Sequence, residues 1–310
     1  MDTPIQVVGL GIATLDVLIR LKEMPTWGRG TEVQAFGLDG GGMAGTAMAA
    51  AARLGVRAGY IGTFGSDRVG DLKRQSLTDC GVDVSRARQR PGPERQVVIV
   101  YIDEAGERTF AGLRGLWDDP IPPEELDRAY LTGAECLLLD GFHFDAAVQA
   151  ARWMHEAGRK VVLDGSQTRG RVDPGIRPLL EHVDVLICGS GFAPGLTGET
   201  DLGRAGRAAL AMGPTVIVQT EGADGCYTVT ADDEFHTPAF EVDVIDTTGA
   251  GDVFHGAYIV GLLRGWSLRQ TAVFASAVAA VKCTRLGGRA GIPTFDETLA
   301  FLRERGVQLE

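Results

Sequence analysis

Short apolar runs alternate with longer helix-periodic segments through the first two thirds of the chain, and no other feature constrains its fold as tightly. Strand-like runs fall at 5–12, 58–62, 136–140, 160–164, 184–188 and 215–220. Helical patterns occupy the intervals, at 44–54, 68–80, 145–157, 174–181 and 202–212. Parallel neighbours in a sheet need a long crossover connection, and helices of this length provide it. The alternation therefore predicts an α/β fold, a mainly parallel sheet with helices on both faces. In the last third a hairpin pattern at 225–230 and 234–239 leads into two long helical patterns, 250–264 and 268–284.

Two stretches break the alternation. Residues 16–37 read as two short strands around Met24-Pro25-Thr26-Trp27-Gly28, and 95–112 read as a hairpin about Glu104-Ala105-Gly106. Paired together, they would make a small separate sheet at the carboxyl ends of the main strands, where α/β proteins bind ligands. Such a sheet is expected to act as a lid, and its exposed edges could join two copies into a homodimer. The whole chain, 1–310, is expected to be one domain carrying that lid.

Bulk properties narrow the function classes. A net charge of −11 argues against nucleic acid, whose phosphate backbone needs a basic face. The five cysteines are scattered without a CxxC pair, which points away from a disulfide framework and from zinc. No apolar run approaches the ~18 residues of a membrane span, and no basic-then-apolar leader precedes the first strand. A cytoplasmic protein acting on small molecules, without a membrane partner, is the expectation.

The residues that carry chemistry lie at 246–252, Asp246-Thr247-Thr248-Gly249-Ala250-Gly251-Asp252, where a glycine turn enters the 250–264 helix. Backbone N–H groups at such a turn converge on one point, and the helix start adds partial positive charge. That nest suits the charge developing on a transferring phosphoryl group. Asp252, in the first helical turn, can take the proton of an attacking hydroxyl. Phosphoryl transfer asks mainly for positioning and charge stabilisation, which one base and one anion hole supply.

The run DTTGAGDVFHGA resembles the C-terminal motif of the ribokinase, or PfkB, family of carbohydrate kinases. The resemblance implies a ribokinase-like three-layer fold, ATP and Mg2+, and a small sugar-like acceptor. It makes Asp252 the catalytic base and the backbone of Gly249, Ala250 and Gly251 the anion hole. It gives Asp246, with Thr248, a role in holding a monovalent cation such as K+. Further motifs follow in the family's order. Gly40-Gly41-Gly42 resembles the N-terminal motif, which assigns Gly41 and Gly42 to the acceptor sugar, and Asp16 matches the residue that holds sugar hydroxyls. Thr220-Glu221-Gly222-Ala223-Asp224-Gly225 matches the nucleotide loop, implicating Thr220, Gly222 and Gly225. Ser276 and Gly288, in the last helix and the Leu286-Gly287-Gly288 tail, would line the adenine side.

Departures from the family pattern bear on the substrate. Thr46 stands where the family has Asn, a shorter hydroxyl in place of an amide. The family's N-x-x-E motif, tied to magnesium, corresponds to Gly189-Ser190-Gly191-Phe192, which has no carboxylate. The strings around Thr46, Asp252 and Arg289 are most similar to those of sulfofructose-phosphorylating members. Sulfofructose, or another ketose or keto-sugar acid, is the substrate this implies, with Arg108 and Arg114 near the lid as partners for an anionic group. A nucleoside kinase of the same fold and a catalytically weak sugar- or nucleotide-sensing protein are the competing readings. The Gly9-x-Gly11 pair after the first strand lacks the third glycine of a dinucleotide fingerprint.

Overall fold

The computed structural model of the chain describes residues 4–166 and 172–309. In chain order its first elements are β1 (Val7–Leu10), β2 (Thr14–Leu21), β3 (Val33–Gly41), α1 (Met43–Arg53), β4 (Ala58–Ile61), β5 (Thr63–Gly65) and α2 (Arg68–Thr78). Then come β6 (Arg88–Arg90), β7 (Val97–Ile102), β8 (Arg108–Gly112), α3 (Arg128–Gly133), β9 (Cys136–Leu139), α4 (Phe144–Glu156) and β10 (Lys160–Gly165). The rest are α5 (Arg177–Leu180), β11 (Val185–Gly189), α6 (Phe192–Thr197), α7 (Leu202–Leu210), β12 (Val216–Thr220), β13 (Cys226–Thr230), β14 (Glu234–Thr237), α8 (Ala250–Leu263), α9 (Leu268–Cys283) and α10 (Phe295–Glu304).

Eight strands form the main sheet in the order β14-β13-β12-β11-β10-β9-β1-β4, all neighbours parallel except at the β12-β13-β14 edge. Strand residues alternate between two apolar cores, as a sheet buried on both faces requires. Leu138, Val162, Ile187 and Val218 point to the side covered by α1, α2, α8, α9 and α10. Leu137, Leu163, Leu186 and Ile217 point to the side covered by α3 to α7. The expected three-layer arrangement is present. Among the described residues no helix is long and apolar enough to cross a membrane.

The expected helix at 174–181 divides into a 3-10 turn, Pro174–Ile176, and α5, because Pro178 in the first turn of α5 has no N–H to continue the ladder. Helix α10 has a signal the periodicity reading passed over, a Thr294/Glu297 capping box.

A second, four-stranded sheet has the order β3-β2-β7-β8. Its strands β2 and β3 run further than the expected 16–37, because Leu15 and Thr14 go on pairing with Gly40 and Gly41. Asp16 and Gly41 are thereby fixed at the root of this sheet, beside the main-sheet strand ends. Leu18, Val100 and Ile102 bury its inner face with Leu286 of the C-terminal tail. At the far end Thr247 Oγ1 lies 3.2 Å from the carbonyl oxygen of Gly106, in the β7–β8 turn.

Candidate active site

Helix α8 begins at Gly249, which takes φ +73°, a left-handed conformation glycine adopts without strain. This turns the chain sharply and leaves amides facing outward. Among the described residues no acceptor meets the N–H groups of Gly249, Gly251 or Asp252, whereas the N–H of Ala250 lies 3.2 Å from Thr247 O. The free amides are therefore shifted from the expected 249–251 set by one exchange, Asp252 for Ala250. A side chain at Gly251 would meet nothing within 4 Å, so the nest opens onto free space. Asp252 stands half-buried in the same turn. Burial pushes its carboxyl above the usual range, and the charges of His255, Arg108, Arg289 and Lys282 pull the other way.

Close packing draws the other motifs onto this turn. A Cβ at Gly249 would lie 3.2 Å from Gly288 Cα and 3.4 Å from Thr46 Cγ2, and one at Gly288 would lie 3.0 Å from Gly40 O. Gly42 takes φ +82°, with a Cβ there 2.6 Å from Ala13 Cα. The space a side chain at Gly41 would need is filled by the carboxylate of Asp16. Asp16 is buried and accepts the hydroxyl of Thr14 at 2.6 Å. Burial pushes it up to about 6, opposed by that hydroxyl and by Arg289.

Asp246 is fully buried and its carboxylate oxygens accept the N–H groups of Thr248 and Gly287, both at 2.8 Å. The hydroxyl of Thr248 is buried and has no partner among the described residues. Of the two arginines singled out, Arg108 extends from β8 to donate to Thr247 Oγ1. Arg114 lies in an exposed turn after β8 and forms no hydrogen bond or ion pair among the described residues.

The nucleotide-loop residues form a separate turn at the ends of β12 and β13. Gly222 and Gly225 have φ +58° and +91°, and the N–H of Glu221 closes on Gly225 O at 2.8 Å. Thr220 Oγ1 donates to Cys188 O at 3.3 Å. Ser276 is buried in α9 beside the Cys226 thiol, behind this turn. The carboxylate missing from 189–192 returns from another element, since Glu221 Oε2 accepts Ser190 Oγ at 2.6 Å.

Sequence reasoning left out three buried charges. Arg289, 2% exposed, donates to Gly41 O at 2.6 Å, Ser76 Oγ at 2.8 Å and Thr46 Oγ1 at 3.4 Å. Lys282 is fully buried with Nζ 2.8 Å from Asp246 O. Asp140 accepts the N–H groups of Ile12, Phe142 and Ala44 at 2.7, 3.0 and 3.3 Å. Burial pushes Asp140 up to about 7. Only the position of Asp140 at the end of a predicted strand hinted at such a role.

A sequence profile described as pfkB family carbohydrate kinase matches residues 5–295. An ATP-dependent ribose-1-phosphate kinase of Halopiger xanaduensis is 30% identical, with 97% of this chain and 99% of that protein covered. The aminoimidazole riboside kinase of Salmonella typhimurium is 33% identical over 86% of this chain and 89% of its own length. The ribokinase of Arabidopsis thaliana, solved with ribose and ATP, shares the fold with TM-score 0.82 at 23% identity, covering 97% of this chain and 99% of that one. The five ordered motifs, the fold that gathers them and the profile match across 5–295 establish that the chain belongs to the pfkB family of carbohydrate kinases.

Proposed function

We propose that the chain transfers the γ-phosphoryl group of ATP to a hydroxyl of a small sugar, with Asp252 as the base. The observation that carries this reading is a half-buried carboxylate inside a turn whose amides face open space without protein acceptors. On this reading ATP lies along the Thr220, Gly222 and Gly225 turn, with Ser276 and Gly288 lining the adenine side. The acceptor lies beneath the small sheet, held by Asp16, Gly41, Gly42 and Thr46. As the acceptor oxygen bonds to the γ-phosphorus, its proton passes to Asp252 and the bond to the β-phosphate oxygen breaks, releasing ADP. The N–H groups of the 249–252 turn and the α8 dipole stabilise the charge on the transferring group. Closure of the small sheet excludes water, so that ATP is not hydrolysed.

Two ions belong to this reading. The described residues contain no group of three or more acidic, His or Cys side chains that could hold a metal. Glu221, beside Ser190, is the carboxylate that would help hold Mg2+ arriving with the ATP phosphates, where the ion would neutralise phosphate charge. Asp246 and the unpartnered hydroxyl of Thr248 suit a monovalent cation such as K+, which would brace the turn before Asp252.

The relatives named above act on ribosyl compounds, which makes ribose, ribose-1-phosphate and ribosides the first acceptors to try. A nucleoside acceptor is included because one of those relatives is a riboside kinase. Sulfofructose and the keto-sugar acids rest on the motif strings, with Arg108 as the cation that reaches the site. Coupled ADP release over this panel tests the function. Saturable turnover with one acceptor supports it, and its collapse in Asp252→Asn with ATP binding retained supports the base. Release of ADP that no acceptor accelerates would overturn the sugar-kinase reading in favour of a sensor.

A further inference from the structure

His255 follows Asp252 by three residues on α8, so the two share a helix face. The ring is 3% exposed. Its Nδ1 lies 2.6 Å from the carbonyl oxygen of Gly251. Its Nε2 lies 3.1 Å from the carbonyl oxygen of Ile187 and 3.5 Å from Asp164 Oδ1. A carbonyl oxygen can only accept, and a neutral imidazole has one N–H and one lone pair. Either neutral tautomer would therefore aim a nitrogen lone pair at an oxygen lone pair inside the protein. The doubly protonated ring satisfies both nitrogens at once.

Resting on the phosphoryl-transfer reading above, we propose that His255 is a standing imidazolium, paired with Asp164, that keeps Asp252 ionised and so acts as a positioning residue for the base. The electrostatics agree. Burial opposes charge on His255, yet Asp164, the two carbonyls and Asp252 raise its proton affinity above that of an ordinary histidine. Burial raises Asp164 to about 6 and His255 opposes the rise. The groups facing the ring are Asp164 from β10, Asp252 from α8 and Ile187 O from β11, where the neighbouring Cys188 thiol is pushed far up by burial. Arg108, Arg289 and Lys282 also lower the Asp252 carboxyl, each less than His255 does. The imidazolium gives up no proton during turnover. The proton taken from the acceptor stays on Asp252 until it leaves through the open side at Gly251.

The test is nitrogen NMR of the full chain labelled at histidine, without substrate. The resonances of His143, His155, His182 and His236 are assigned by single substitutions, which identifies His255 by elimination even if its own variants misfold. Both His255 nitrogens should carry protons at about pH 8, where an unperturbed histidine of pKa ~6.5 is neutral. A lone-pair nitrogen on that ring at pH 8 overturns the proposal. In kinetics, His255→Gln should move the acid limb of kcat upward by roughly one pH unit with little change in the KM for ATP, and His255→Lys should restore it. An unmoved limb in an active, folded H255Q also overturns it. If no acceptor is turned over at all, the kinase reading fails while the NMR still decides the charge of the ring.

Discussion

The carboxylate of Asp16 occupies the volume that a side chain at Gly41 would need. The two face each other across β2 and β3 at the root of the small sheet, where Leu15 pairs with Gly40 and Thr14 with Gly41. Gly41 is thus glycine for want of space, since its backbone is not left-handed. Gly41→Ala should push Asp16 off the acceptor position and raise the KM for the sugar roughly tenfold or more. The KM for ATP, which our proposal places at the Thr220 turn, should stay within about twofold. Initial-rate kinetics with each substrate varied in turn check this, and an unchanged sugar KM would separate Asp16 from acceptor binding.

Asp16 also predicts a pH dependence. Burial raises its carboxyl to about 6, from an ordinary 3.8. Below pH 6 the group gains a proton and loses acceptor capacity, so the sugar KM should climb as pH falls from 7 to 5. Asp16→Asn should flatten that profile. The sign for stability is opposite to that of a salt-bridged carboxylate. Because the folded form binds the proton more tightly, the contribution of Asp16 is fully present below pH 3.8 and lost as pH rises through about 6. Melting scans of wild type and D16N should therefore show the variant relatively more stable at pH 7.5 than at pH 4.

Arg289 connects three acceptors that are distant in sequence, Gly41 O, Ser76 Oγ and Thr46 Oγ1. Arg289→Met would take this donor from Gly41 O and Thr46 Oγ1, leave Ser76 Oγ only its own bond to Lys73 O, and remove the positive charge that holds Asp16 down. Chemical denaturation should show a loss of about 3 kcal/mol. The acid limb assigned to Asp16 should shift to higher pH. A lysine at 289 reaches one acceptor in place of three, so R289K should recover the pH limb better than the stability.

What sequence could and could not reveal divides by range. The parallel sheet was legible because strands buried on both faces must be short and apolar, and the helices between them long enough to cross over. The glycine turn that starts α8 was legible because the glycines that shape it lie within a few residues of one another. Asp140 was not, because its acceptor role depends on Ile12 and Ala44, some 128 and 96 residues away. Arg289 meets Gly41 across 248 residues. Lys282 is a basic residue in the last turn of an apolar helix, and only the fold turns it inward onto Asp246 O. Glu221 sat in plain view inside a nucleotide motif, yet its bond to Ser190 spans 31 residues and two strands. Strand extent was misjudged where Gly40 and Gly41 continue a ladder that their composition argues against.

The outer face of the small sheet predicts how the chain assembles. Residues paired across strands share a face, so the register places Leu38, Val17, Ile99 and Ala111 in one row and Phe36, Ile19 and Tyr101 in the next. This is the face opposite Leu18 and Val100, and its Phe36 and Leu38 are 65% and 54% exposed. Apolar rows of this kind on an open sheet are costly to leave in water. We propose that two copies cover them in a homodimer through the lid. Phe36→Glu together with Leu38→Glu would place like charges on that face without touching the Asp252 turn. Sedimentation should find a dimer for the wild type and a monomer for the double variant. A wild type that sediments as a monomer at micromolar concentration would discard the assembly while leaving the phosphoryl-transfer site as it stands.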